Sequence, residues 1–353
     1  MRILITGHTG FKGSWLSLML ASGGHEVSGI ALDPLAGGLY EAARVGELLH
    51  HDVRLDIRDA AGLRDAMSDC DPELVLHLAA QPLVRESYAD PRTTIETNVL
   101  GTLNVLEALV AAPSVRAAVI VTTDKVYRNV GRLDGYAEDA ALGGHDPYSS
   151  SKAMADILTE SWVASFPGVP TAVARAGNVI GGGDVSKDRL MVDLVAGFVE
   201  ADPVAIRYPD AVRPWQHVLD CLSGYITLAG SLLRGGEAGA WNFGPDPDGF
   251  QTVREIADAA VAQWGGTAHW VDDSAGTHPH EAALLTLDPA KAQRELGWRN
   301  KIPFPESVAW TIDWYKAVAN GADARTVTLG QLDRFAELAP DAPWLQALSN
   351  VSR

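Results

Sequence analysis

Arg2-Ile3-Leu4-Ile5-Thr6-Gly7-His8-Thr9-Gly10-Phe11-Lys12-Gly13-Ser14-Trp15-Leu16 decides the fold. An apolar run stops at a glycine, two more glycines follow at equal spacing, and a helix-period pattern starts at once. Glycine suits a chain that turns with positive φ, or that lies against a ligand with no Cβ between. G-x-x-G-x-x-G between a strand and a helix therefore predicts a backbone cradle for a pyrophosphate. Gly7, Gly10, Phe11 and Gly13 are its candidate residues. The helix that follows turns unpaired N–H groups and its positive dipole end toward the phosphates. A glycine triplet alone also describes a plain tight turn; the strand before and the helix after favour the cradle.

Working outward, short β-branched runs at 3–6, 26–32, 74–78, 115–122 and 171–175 alternate with helical patterns at 14–21, 60–69, 93–112 and 149–165. That alternation predicts βαβ units and an α/β, doubly wound parallel sheet of the Rossmann type. Beyond it, Pro and Gly cluster at 181–183, 203–214 and 244–249, with helices expected at 189–200, 221–233, 252–264 and 303–318. We expect a dinucleotide domain of residues 1–177 plus about 215–243, and a smaller, discontinuous α/β C-terminal substrate domain of about 178–214 plus 244–319. The tryptophans at 241, 264, 270, 298, 310 and 314 read as core of that second domain. Residues 320–353 form a tail with no assigned role.

Composition excludes several classes. The 353 residues carry 28 Lys and Arg against 45 Asp and Glu, a formal charge of −17. So acidic a surface repels a phosphate backbone, and no nucleic-acid partner is expected. Cys70 and Cys221 are the only cysteines, far apart, which leaves neither a disulfide scaffold nor a metal site. No apolar run reaches the length of a signal core or a membrane span, so a cytoplasmic protein without membrane contact is expected.

Three further groups carry chemistry. Asp33 ends the second strand, where a carboxylate can accept from the adenosine ribose hydroxyls and repel a 2′-phosphate, favouring NAD over NADP. Asp56-Ile57 ends the third strand, within reach of the adenine. Tyr148 and Lys152 are at i and i+4 on one helical face, where a cation can favour the phenolate as a base. Thr123-Asp124-Lys125 follows the run 117–121, at the carboxyl end of a parallel strand, where ligands sit in open α/β sheets. A Thr-Asp helix cap with a solvated lysine is the plainer account of those three residues.

The ordered set Gly7-x-x-Gly10-x-x-Gly13, Asn98-Val99-x-Gly101-Thr102, Thr123-Asp124 and Tyr148-x-x-x-Lys152 resembles the extended short-chain dehydrogenase/reductases of the nucleotide-sugar branch. More narrowly, the chain is similar to the CDP-glucose 4,6-dehydratases. The stretches that carry this are 7–16, Thr123-Asp124-Lys125-Val126-Tyr127, Leu142-Gly143-Gly144-His145-Asp146-Pro147-Tyr148-Ser149, Arg175-Ala176-Gly177-Asn178-Val179-Ile180-Gly181-Gly182-Gly183-Asp184 and Arg213-Pro214-Trp215-Gln216-His217-Val218-Leu219. The likeness runs to about residue 319. Val185 and Tyr208 depart from it, the first where an aromatic and the second where a smaller polar residue is usual.

The resemblance implies a homodimer that holds NAD through the cradle, Asp33, Asp56, Ile57, Ala79, Ala80, Asn98, Tyr148 and Lys152. It implies that Asn178, Arg189, Arg213, Gln216 and His280 hold a nucleotide-diphosphate hexose, CDP-glucose first. Arginine suits that task through its planar fork and permanent charge. The implied reaction has Tyr148 deprotonate the sugar 4-hydroxyl as C4 gives a hydride to NAD. The C5 proton then leaves, Asp124 protonates the departing 6-hydroxyl, and the hydride returns at C6. Lys125 stands where the C5 base is expected, or it only orients Asp124. A nucleotide-sugar 4-epimerase needs the same cradle, Tyr148 and Lys152 but has no use for an acid–base pair at 124 and 125. A silent NAD-binding regulator would be free to lose the tyrosine or the lysine, and both are present.

Overall fold

The computed structural model describes residues 1–166, 168–276, 282–338, 340, 347 and 348. Five of the sheet strands begin where the β-branched runs do, within two residues: β1 (Arg2–Thr6), β2 (Glu26–Ala31), β4 (Leu74–His77), β5 (Ala117–Val121) and β6 (Thr171–Ala176). The short β3 (Asp52–Arg54) joins them, and the strand Gly239–Phe243 returns to the far edge beside β6. All seven run parallel in the order Gly239–Phe243, β6, β5, β4, β1, β2, β3. The order reverses between β1 and β4, so a crevice opens there at the carboxyl ends of the strands.

Burial on both faces explains the nearly continuous apolar strands. Ile3, Ile5 and Val27 point into one core with the helix Phe11–Ser22 and the helix Val218–Leu233. Leu4, Ile30 and Val75 point into the other, beneath the helices Ala60–Cys70 and Gly101–Ala111. The pattern expected to form one helix over 93–112 is broken. Pro91–Ile95 is α-helical, Glu96–Leu100 forms a π turn, and Gly101–Ala111 resumes the α-helix. Such turns insert a residue and re-aim their side chains, often at a functional site.

The second half builds its own layer from short pairings between distant segments. Val179–Ile180 pairs with Gln216–His217, Val204–Ile206 with Trp270–Asp272, and Val212–Pro214 with Phe250–Thr252. Around them Leu194, Phe198, Trp215, Ile256, Val308 and Ile312 make a separate apolar cluster. The tryptophans divide differently from the expectation. Trp264 and Trp270 pack on this cluster, whereas Trp241, Trp298, Trp310 and Trp314 belong to the sheet-side core. The cause is their elements: Trp241 is on a sheet strand, and Trp310 and Trp314 lie on the helix Glu306–Ala319, which turns an apolar stripe toward the sheet layer.

The tail also has a place. Its helix Ala324–Leu338 buries Thr328, Leu332 and Phe335, and Trp314 donates its indole N–H to Thr328 Oγ1 at 2.9 Å. Arg325 donates to the carbonyls of Ala43 and Arg44 and to Glu47, which clips the second half onto the segment after β2. Among the described residues no helix is long and apolar enough to cross a membrane.

Candidate active site

The cradle has the geometry that its glycines require. Gly7 has φ +80, in the left-handed region, and a Cβ there would lie 2.7 Å from the Ala79 backbone nitrogen. A Cβ on Gly13 would collide with the Gly7 carbonyl oxygen, so the third glycine lets the helix start against the loop. Gly10 is the N-cap, exposed, with no side-chain capping bond and no acid in the first turn. The amides at this helix start are thus left for an anionic ligand, and the positive end of the dipole faces it. These residues fit the pyrophosphate of a dinucleotide.

The adenosine side is less simple. The Asp33 side chain is 91% exposed and its Oδ1 stands 3.5 Å from Arg54 Nε. Asp56 is held by Arg58, whose Nε and Nη2 donate to Oδ2 at 2.9 and 2.7 Å; that bond holds the carboxyl below its ordinary range. Ile57 is buried in the core, and a Cβ on Gly101 would touch its Cδ1 at 2.5 Å, so its side chain packs on a helix. Ala79 and Ala80 follow β4 beside Gly7. Asn98 sits in the π turn, fully buried, and spends its amide within the protein. Nδ2 donates to Gln81 O at 3.0 Å and to Ser151 Oγ at 2.8 Å, and Oδ1 accepts from Gln81 N at 2.8 Å. It therefore links the exit of β4 to the turn before Lys152.

The helix Pro147–Ser165 carries Tyr148 and Lys152 and is capped by Asp146, whose carboxylate accepts from Ser149 N at 2.8 Å. Lys152 is buried, and Nζ donates to Val121 O at 3.2 Å, the last carbonyl of β5. Burial lowers its pKa to about 7, and the ammonium of Lys12 acts in the same direction. Burial pushes the Tyr148 phenol up to about 12, against the pull of Arg189 and a hydrogen bond with Thr123. Arg189 is the leading cation on the phenol, while Lys152 bonds its amine to the end of β5.

Thr123, Asp124 and Lys125 leave β5 in a single tight turn. Thr123 Oγ1 donates to Asp124 Oδ1 at 2.9 Å, and Lys125 Nζ lies 3.5 Å from the same oxygen. Asp124 is fully buried and its Oδ2 has no partner among the described residues. A Cβ on Gly177 would meet that oxygen at 3.3 Å and Pro214 Cγ at 2.5 Å, so segments far apart in sequence close around the carboxylate. Thr123 is bonded to Asp124 and acts on the Tyr148 phenol.

Across the crevice, Asn178 Oδ1 and Gln216 Oε1 are buried without partners among the described residues. Gln216 Nε2 donates to Phe243 O at 2.8 Å, which fixes the amide. Arg189 immediately precedes the helix Leu190–Glu200, makes no side-chain capping bond there, and acts electrostatically on both Tyr148 and Lys12. Arg213 is buried on the strand Val212–Pro214 and donates Nη1 to its neighbour's carbonyl. His280 lies outside the described residues.

Several supporting residues escape the reading of the sequence. Arg175 is fully buried and pairs with both oxygens of Asp156, at 2.9 and 2.7 Å, while Nη1 donates to Tyr127 OH at 2.9 Å. Asp156 also accepts from Thr122 Oγ1 at 3.0 Å. The turn 123–127 is thereby clamped at both ends. Asp156 follows Lys152 by one helical turn, so its spacing was the available signal. His77, on β4, bonds Thr6 and Thr102, and burial takes its pKa to about 3, keeping it neutral. Lys12 donates to Tyr225 OH at 3.1 Å.

Known proteins resemble this chain over most of its length. The family model for GDP-mannose 4,6 dehydratase matches residues 4–311. The CDP-glucose 4,6-dehydratase of Salmonella typhimurium is 44% identical over 333 residues, covering 91% of this chain and 92% of that protein. Among solved structures, a dTDP-glucose 4,6-dehydratase of Streptomyces venezuelae with NAD bound superposes with TM-score 0.77 at 27% identity, covering 92% of this chain and 100% of the other. A UDP-glucose 4-epimerase of Thermus thermophilus, in complex with NAD, gives TM-score 0.76 at 26% identity, over 90% and 99% of the two chains. The chain belongs to the GDP-mannose 4,6 dehydratase family, within the extended short-chain dehydrogenase/reductases.

Proposed function

We propose that this protein converts CDP-glucose to CDP-4-keto-6-deoxyglucose and water. It is an NAD-dependent nucleotide-sugar 4,6-dehydratase; the cytidine and the glucose are the finer part of the reading, supported by the 44% identical relative. The observation that carries it is the buried Asp124 carboxyl, bonded by Thr123 Oγ1, 3.5 Å from Lys125 Nζ, with Oδ2 unpartnered among the described residues, and near enough to Tyr148 to act on its phenol. An acid for the leaving 6-oxygen thus stands beside the base for the 4-oxygen.

NAD, when bound, supplies a hydride acceptor at C4 and a donor at C6. Gly7, Gly10 and Gly13 hold its pyrophosphate, with the adenosine toward Asp33. Residues 1–177 plus about 215–243 form the lobe for it, and about 178–214 plus 244–319 the lobe for the sugar nucleotide. Tyr148 takes the 4-hydroxyl proton. Burial opposes the phenolate, so the phenol needs cations: Arg189 already acts on it, and protonated Lys152 is the second. The C4 ketone acidifies C5; Lys125 takes the C5 proton and gives it back to C5 when the hydride has returned at C6. Asp124, protonated, gives its proton to the departing 6-hydroxyl, which leaves as water. Asn178, Arg189, Arg213, Gln216 and His280 orient the sugar nucleotide.

A homodimer is supported by exposed apolar side chains next to the catalytic helix: Ile95 and Leu100 before and within the π turn, with Met154 and Ile157 on the helix itself.

Incubation with NAD and, separately, CDP-, dTDP-, GDP- and UDP-glucose tests the reading by mass spectrometry. CDP-glucose should lose one water fastest. Preference for another base overturns the cytidine assignment, and interconversion of hexoses without water loss favours a 4-epimerase.

A further inference from the structure

An arginine that the reaction does not use joins the two halves of the chain beside the crevice. It is Arg85, on the short helix Val84–Ala89 that follows β4, and its Nη1 donates to Asp188 Oδ1 at 2.5 Å. The same helix is fastened to the catalytic helix, because Tyr148 N donates to Ser87 Oγ at 3.1 Å. Asp188 lies in the loop between the strand Val179–Ile180 and the helix Leu190–Glu200, directly before Arg189. That loop is secured at its start by groups that a change at Arg85 leaves alone. Trp15 Nε1 donates to Gly182 O at 2.9 Å, Leu39 N to Gly183 O at 3.0 Å and Tyr315 OH to Asp184 O at 2.6 Å. At its end Asp188 takes a left-handed φ of +59, uncommon for any residue but glycine, as the chain turns into Arg189. A second acid stands close: the Asp193 carboxyl, in the first turn of the helix, is pushed up by loss of solvent and by Asp188 and pulled down by Arg85. Arg85 therefore faces two carboxylates at once.

We propose that Arg85 is a positioning residue that sets Arg189 in the site by holding Asp188 across the crevice. An ordinary surface ion pair contributes little, since solvent screens it and both side chains lose freedom. This pair differs in what it connects. One partner rides on the helix tied to Tyr148, and the other adjoins the arginine that acts on the Tyr148 phenol. Without Arg85, the carboxylates of Asp188 and Asp193 repel each other and the end of the loop is released. Arg189 then drifts from the phenol and from the diphosphate of a bound sugar nucleotide. The inference rests on the reading of Arg189 as a group of the site.

Steady-state kinetics with CDP-glucose and calorimetry with NAD test it. Arg85→Gln should lower kcat/KM about 10-fold, the size expected of coupled neighbours, while NAD affinity stays as in the parent. Arg85→Lys keeps the cation and should recover most of the loss. Asp188→Asn, whose side chain tolerates the left-handed turn, should match Arg85→Gln, and the two together should cost no more than either alone. In a chain already carrying Arg189→Gln, Arg85→Gln should add no further loss. Parent-like kcat/KM in Arg85→Gln overturns the proposal. So does a full further loss on top of Arg189→Gln, which makes Arg85 a direct contact of the substrate. NAD affinity that falls together with kcat/KM makes Arg85 a general support of the fold and overturns it too. A parent protein that leaves CDP-glucose unchanged overturns the assignment of the substrate first, and the proposal with it.

Discussion

The two proposed acid–base pairs are built in opposite ways. Tyr148 and Lys152 lie one turn apart on a single helix, so their relation follows from helix geometry alone. Asp124 and Lys125 adjoin in sequence but sit on a tight turn, and distant chain holds them in place. Thr122 is tied to Asp156, Tyr127 to Arg175 and Asn242, and Gly177 and Pro214 close on the carboxylate. A helical pair needs only its own helix to bring its members together. The turn pair depends on a buried network that a dehydratase has reason to keep.

That contrast can be broken at either pair. Tyr148→Phe removes the proton acceptor common to every step that follows, so turnover should fall by at least about 10³-fold while NAD still binds by calorimetry. Substantial turnover in that variant ends the oxidoreductase chemistry assigned to the helix. Asp124→Asn keeps the shape and removes the proton; water loss should slow by ~10²–10⁴-fold. Oxidation at C4 should survive, seen as a build-up of reduced nicotinamide absorbance. Lys125→Met should act alike and also suppress exchange of the C5 hydrogen with heavy water. Normal elimination by Lys125→Met makes Lys125 an orienting group and gives the C5 proton to another base.

A smaller effect sharpens the comparison on the helix side. Burial holds Lys152 down at about 7, so between that pH and the ordinary lysine value of 10.5 the native cofactor-free chain has shed a proton that the unfolded chain keeps. Stability therefore rises with pH across this window and the contribution is lost below about 7. Lys152→Met should flatten that slope, by up to about 1.4 kcal/mol per pH unit, in denaturant titrations at several pH values. An unchanged slope shows that the amine does not titrate there.

What the sequence made legible divides along the same line. Local rules expose the glycine cradle, the parallel order of the sheet and the face shared by Tyr148 and Lys152, because each is set by residues within one strand–turn–helix unit. Arg175 and Asp156 carry no motif that announces their bond, since it joins β6 to the catalytic helix across the core. The bonds of Asn98 to Gln81 and Ser151 were equally hidden, since the π turn alone brings them within reach. Arg189 read as a phosphate ligand, and its field on Tyr148 emerges only when the second half of the chain folds over the first. The tryptophans misled for a related reason: sequence position placed them in the later domain, whereas their helices and strand face the sheet core.

The central claim is that one site oxidises C4, expels the 6-hydroxyl and returns the same hydrogen to C6. CDP-glucose carrying deuterium at C4, incubated with the protein and NAD, tests it most directly by mass spectrometry and nuclear magnetic resonance of the product. The account predicts a sugar nucleotide lighter by one water, with the label moved to C6. A product of unchanged mass with its deuterium still at C4 would contradict it and make the Asp124–Lys125 turn a bystander.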